Sequence, residues 1–124
     1  MIEMAFILPV YFGLIWGIVQ FCFVFLGYNS LTYGCTVAAS YAAVHGSSSS
    51  NPCNSSSCVS SVATAYLWGA PTNATVVVTT SSAWPPDPGD TVTVKASFIY
   101  YTVIPFSNLT HIVVGTSAQA VVIQ

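Results

Sequence analysis

Residues 2 to 16 read IEMAFILPVYFGLIW. They put an acid at the head of the most apolar run in the chain, and the reading of that run decides the fold. It continues past Trp16: from Met1 to Tyr28 only Glu3 and Gln20 are strongly polar. As a helix rising 1.5 Å per residue the stretch spans roughly 40 Å, more than the ~30 Å of hydrocarbon in a bilayer. A secretory signal peptide has a charged leading region and a much shorter apolar stretch, so this segment is expected to be retained. Glu3 is one of three acidic residues, and the single Lys or Arg is Lys95. A carboxylate without a partner in hydrocarbon is costly, so Glu3 has to be neutralised, solvated or functional.

The rest of the composition agrees. The 124 residues are 3% charged and 54% hydrophobic, with a mean hydropathy of +0.73, unlike an ordinary soluble domain. A net charge of -2 with a single cation leaves no basic patch to neutralise phosphates, which excludes nucleic-acid binding. Orientation in membranes is normally set by Lys and Arg on the cytoplasmic side, and none is near. A basic leader, removed before Met1, is therefore expected, with residue 1 a processed end.

Beyond Tyr28, Leu31, Cys35, Ala38, Ala39 and Ala42 form a helical stripe of small and apolar residues. One long helix is predicted from about Ile2 to Val44–Gly46, with Gly46 as its stop. Pro9 cannot donate to Ala5 and predicts a kink or a loosened turn. The polar stretch SSSSNPCNSSSC reads as a loop. Val59, Val62, Ala65 and Tyr66 then suit one face of a short second helix, with Gly69 and Pro71 at its exit. From Asn73 the pattern is that of strands: NATVVVTTSS, a turn-rich WPPDPGD, and TVTVKASFIYYT with Val92, Val94, Ala96, Phe98 and Tyr100 on one face. LTHIVVGTSAQAVVIQ closes the chain. The expected class is α+β: a hydrophobic helix over residues 1–46 and, over 47–124, an exposed head with a small antiparallel sheet.

The stretch EMAFILPV from Glu3 to Val10, AASYAAVHG from Ala38 to Gly46, and Trp84 followed by PGDTVTV to Val94 resemble the TadE-like pilin family. The resemblance is strongest over the first 46 residues. It implies a prepilin-type protein whose leader is cut by a membrane peptidase and whose helix passes from an inner-membrane pool into the core of an extracellular, type IV-like filament. It further implies that Glu3 pairs with the N-terminal ammonium of Met1 on a neighbouring subunit, although Glu3 stands closer to residue 1 than the usual prepilin spacing places it. Such a pair sets register more than stability. The partners implied are identical subunits, the pilus assembly machinery, the prepilin-type peptidase and, before assembly, the membrane.

Other residues have plainer readings. Gly13 and Gly17 form G-x-x-x-G, which lets helix backbones approach closely but on its own is as readily coincidence as design. The aromatics Tyr11, Phe12, Trp16, Phe21, Phe23 and Phe25 surround the helix, as expected where neighbours or lipid cover every side. Cys53 and Cys58, five apart in a Ser-rich loop, read as a disulfide. Cys22 and Cys35 point to different sides of a straight helix and read as buried free thiols. His45 and His111 are isolated, and Asp87 and Asp90 suit local backbone hydrogen bonds in a Pro/Gly turn. The sequons at Asn54, Asn73 and Asn108 arise easily in a chain rich in Ser and Thr. No catalytic, metal or cofactor site is expected, and the chain reads as structural, not enzymatic. Two rivals to a bulk pilin are a minor or priming pilin, and a bitopic membrane protein whose small exterior domain binds a ligand or partner.

Overall fold

The computed structural model describes residues 2–68, 73–101 and 111–123. Helix α1 runs Ile2–Val44 and α2 Ser56–Ala65; strands β1 Thr75–Thr80, β2 Thr91–Tyr100 and β3 Ile112–Val121 form an antiparallel sheet in the order β1-β2-β3. This is the expected α+β layout. Assignment of α1 is unbroken across Pro9.

The second half of α1 belongs to the core of the head. Leu31, Cys35, Ala38, Ala39 and Ala42, the stripe read from the sequence, are all buried. They meet Val92, Val94, Ala96 and Phe98, the alternate residues of β2. Small residues on the helix let a flat sheet lie close, and the β-branched and aromatic residues of the strand fill the space. Register is pinned by Val94, paired with Val78 on one side and Ala118 on the other.

Tertiary contacts end α1. Gly46 was expected to stop it, yet among the described residues only Gly89 is a glycine with positive φ. The last carbonyls, which no helix can satisfy internally, find outside donors. Ile123 N donates to Ala43 O at 2.9 Å, and His45 N to Ala42 O at 3.3 Å. The imidazole Nδ1 of His45 lies 2.9 Å from Tyr41 O. Beyond the helix, Ser47 N donates to Pro86 O and Cys53 N to His45 O, both at 2.9 Å.

Helix α2 also departs from expectation. It begins at Ser56, taking the last Ser-Ser-Cys of the predicted loop, and buries Val59 and Ala63 while Ala65 and Tyr66 are exposed. The reason lies across the interface at Gly34, where a Cβ would stand 3.2 Å from Ala63 O and 3.1 Å from Leu67 Cδ2. The missing side chain draws in the Ala63 side of α2. Gly69 and Pro71 lie outside the described residues.

Cys53 and Cys58 are disulfide-bonded, Cα to Cα 5.9 Å, joining the polar loop to the first turn of α2. Closing so short a loop contributes about 2 kcal/mol by the chain-entropy account. Cys53→Ser is therefore expected to lower the stability of the head by about that amount. A urea titration of the detergent-solubilised chain, with and without reductant, checks this: the reductant should shift the midpoint of the parent and leave the variant unmoved.

Candidate functional site

The side chains of α1 divide at Gln20. Every described side chain from Met4 to Val19 is exposed, and all are apolar apart from the hydroxyl of Tyr11 and the indole N–H of Trp16. Each of these described side chains is thus open on the surface of the chain. A helix apolar all round is stable only where something apolar surrounds it. From Gln20 onward one side is covered. Tyr100, at the end of β2, donates its hydroxyl to Gln20 Oε1 at 2.5 Å, so the one polar amide in the run is satisfied by the head. Seven residues on, the Phe98 ring lies over Gly27, where a Cβ would stand 2.7 Å from Cζ.

The glycines of α1 divide in the same way. Gly27 and Gly34 are used by the head, whereas a Cβ at Gly13 or Gly17 would meet nothing within 4 Å. The G-x-x-x-G pair thus lies in the uncovered half and, among the described residues, packs against nothing. Glu3 lies in the first turn of α1; its carboxylate is outside what is described, as is Met1.

Cys35 is buried beside the Ala96 backbone. Cys22 is exposed, contrary to the expectation of a buried thiol, because the head covers the opposite side of the helix at that level. The far face of α1 carries Thr32, Thr36 and Ser40, each donating its hydroxyl to the carbonyl four residues back at 2.8–3.0 Å. Those hydroxyls are satisfied within the helix, so the face offers little polarity outward.

Asp87 and Asp90 do local work. Asp90 accepts from Ser82 Oγ, from Ser81 Oγ at 3.1 Å and from Asp87 N at 2.9 Å. The Ser82 hydroxyl and then the Asp87 N–H hold its pKa below the ordinary 3.8 against the opposing desolvation, with Ser81 contributing least. A depressed carboxylate stabilises the fold above its unfolded pKa, and that contribution is lost as pH falls through the lower folded value. Acid titration followed by circular dichroism should therefore show a loss of head stability below about pH 3.8 that is smaller in Asp90→Asn. Asp87 Oδ1 accepts from Ser47 Oγ at 2.7 Å, tying the turn to the end of α1.

His45 stacks on Tyr41 with ring centroids 3.9 Å apart, and His111 is exposed. Of the sequon asparagines, Asn54 is exposed, Asn73 donates its amide to Ile99 O at 2.9 Å, and Asn108 lies outside the described residues. Among the described residues no group of three or more His, Cys, Asp or Glu is placed to hold a metal ion.

The part of the molecule left for an outside partner is the first half of α1. Ile7–Val44 is long and apolar enough to cross a membrane, and the described side chains of its earlier part are exposed. A family model described as TadE-like protein matches residues 1–40. The N-terminal helix is similar to that of TadE-like proteins. The match is confined to this helix, which is long and apolar enough to cross a membrane. It covers the uncovered half of the TadE-like helix and most of the half under the head; the remainder of the head lies outside it. No curated protein and no solved structure matches the chain.

Three contacts escaped sequence reasoning. Gln20 was visible as a lone polar residue in an apolar run, which signals a partner, but nothing local identifies Tyr100. Gly27 and Gly34 gave no signal distinguishing them from Gly13 and Gly17.

Proposed function

We propose that this chain is the structural subunit of an extracellular Tad-like pilus and polymerises through the first half of α1. The observation that carries this reading is the exposure of every described side chain from Met4 to Val19 on a TadE-like helix. In the membrane before assembly those side chains face lipid; in the filament they face the same segment of other copies. Lipid is as apolar as leucine, so assembly draws on close packing and not on escape from water. Gly13 and Gly17, with open space where their side chains would be, admit a neighbouring backbone.

Glu3 supplies the axial register. The positive charge it needs is the ammonium at the processed N-terminus of a neighbouring subunit, since Lys95 lies on the head's sheet. Desolvation offsets much of the attraction, so the pair selects the step between subunits and adds little net stability. A prepilin-type peptidase frees that ammonium, and the pilus machinery lifts the subunit from the inner-membrane pool. The head, with Thr93, Lys95 and Ser97 outward, coats the fibre. Shearing cells and imaging the released material by negative stain tests the reading. Fibres with this chain as their main component support it; retention with the membranes after shearing, and no fibres, counts against it.

A further inference from the structure

The end of the sheet nearest the uncovered half-helix differs from the rest of the sheet's outer face. Along most of that face the residues are Thr79, Thr93, Lys95, Ser97, Ser117 and Gln119, with Val77 beside Lys95 as an exposed apolar exception. Past the Ser97–Gly115 pair the character changes, with Ile99 opposite Val113 on the outer face, Ile112 opposite Tyr100 on the helix side of the same end, and Tyr101 just beyond. Tyr101 is 65% exposed and Val113 64%. At the opposite end Val121 and Ile123 are also exposed, but they share it with Asp87, Asp90 and the Ser47–Asn51 loop. At the apolar end the described polar neighbours are Asn73, whose amide donates to Ile99 O at 2.9 Å, and His111, next to Ile112, and no carboxylate is among them.

Its height along α1 is fixed by two contacts. The Tyr100 hydroxyl reaches Gln20, and the Phe98 ring covers Gly27. A hydrocarbon layer of ~30 Å takes about twenty helical residues. Counted from Glu3, the first charge, it ends close to Phe23, between those two contacts. The apolar sheet end therefore stands where hydrocarbon gives way to headgroups, the level at which aromatic side chains settle.

We infer that this end of the head, built of Ile99, Tyr101, Ile112 and Val113, is a membrane seat: in the unassembled subunit it lies in the lipid interface beside the span. The inference rests on the membrane-inserted stage of the proposed function. The seat fixes the depth and tilt of the head, because the sheet is bound rigidly to α1 through Phe98 and Tyr100, and it must be withdrawn from lipid when the subunit enters a fibre.

The test uses the full chain in phosphatidylcholine vesicles whose acyl chains are brominated close to the headgroup. Single-tryptophan variants keep Trp16 or Trp84, or carry Tyr101→Trp or Val113→Trp, the remaining tryptophans being replaced by phenylalanine. Trp16, inside the span, and the two sheet-end probes should lose fluorescence relative to unbrominated vesicles, whereas Trp84, at the far end of the head, should not. Two sheet-end probes guard against one of them disturbing the strand. Quenching of Trp16 with both sheet-end probes silent would show the head clear of lipid and overturn the seat alone. Silence at Trp16 as well would show that α1 is not in the bilayer, so the membrane stage and the seat would fail together.

Discussion

Glu3→Lys should abolish fibre formation while leaving the head folded. In a fibre built on the pairing of Glu3 with a neighbour's N-terminal ammonium, the substitution places two positive charges together in a low-dielectric core. Breaking a buried pair by removing one partner costs about 3–5 kcal/mol. At ~1.4 kcal/mol per tenfold, that weakens subunit association roughly a hundredfold or more. Glu3→Gln, which leaves the ammonium unpaired without adding repulsion, should fall between the parent and Glu3→Lys. Fibre mass in sheared material, measured beside total protein, reads the effect. Circular dichroism of the detergent-solubilised chain shows whether the head survives, as it should, since Glu3 lies many turns from the buried core around Leu31 and Phe98. Fibres of Glu3→Lys at the parent's yield would remove the charge pair from the account.

Phe98→Ala should cost the head about 3–5 kcal/mol, the range for emptying a buried phenylalanine site. Phe98 is 1% exposed and is the largest fully buried side chain among the described residues. Its ring closes the core at the lower end of the sheet, over Gly27, where the backbone of α1 cannot collapse into the space left behind. A domain with one small sheet has a total stability within the usual ~5–15 kcal/mol, so the loss is a large fraction of it. Urea unfolding in detergent, with Gly27→Ala beside it, provides the measurement. Gly27→Ala pushes a Cβ against the ring and should cost about 1–3 kcal/mol, and combined with Phe98→Ala less than the sum, because the second change makes room for the first. A cost for Phe98→Ala under about 1 kcal/mol would mean that the sheet is not seated on α1 as described.

What the sequence disclosed follows from periodicity. Leu31, Cys35, Ala38, Ala39 and Ala42 recur at helical spacing, and Val92 to Tyr100 alternate, so each buried face was legible from its own segment. Failures arose where one segment answers another. The face of α2 is set by Gly34 in a different helix, and the end of α1 by Ile123 at the other end of the chain. Exposure of Cys22 depends on which side of α1 the head takes. Nothing within the CFVF segment fixes that. At the candidate site, the apolar run and Glu3 were plain from composition, and Gly13 and Gly17 from spacing. That these glycines, unlike Gly27 and Gly34, are left open by the described residues needed the fold.

The uncovered half of α1 being wrapped by copies of itself is tested most directly by electron cryo-microscopy of purified fibres. The account predicts a helical lattice in which residues 4–19 of each subunit lie at the centre, enclosed by the same segment of its neighbours, with the sheets outermost. Subunits found singly under every condition tried, or fibres in which that segment lies on the surface, would contradict it.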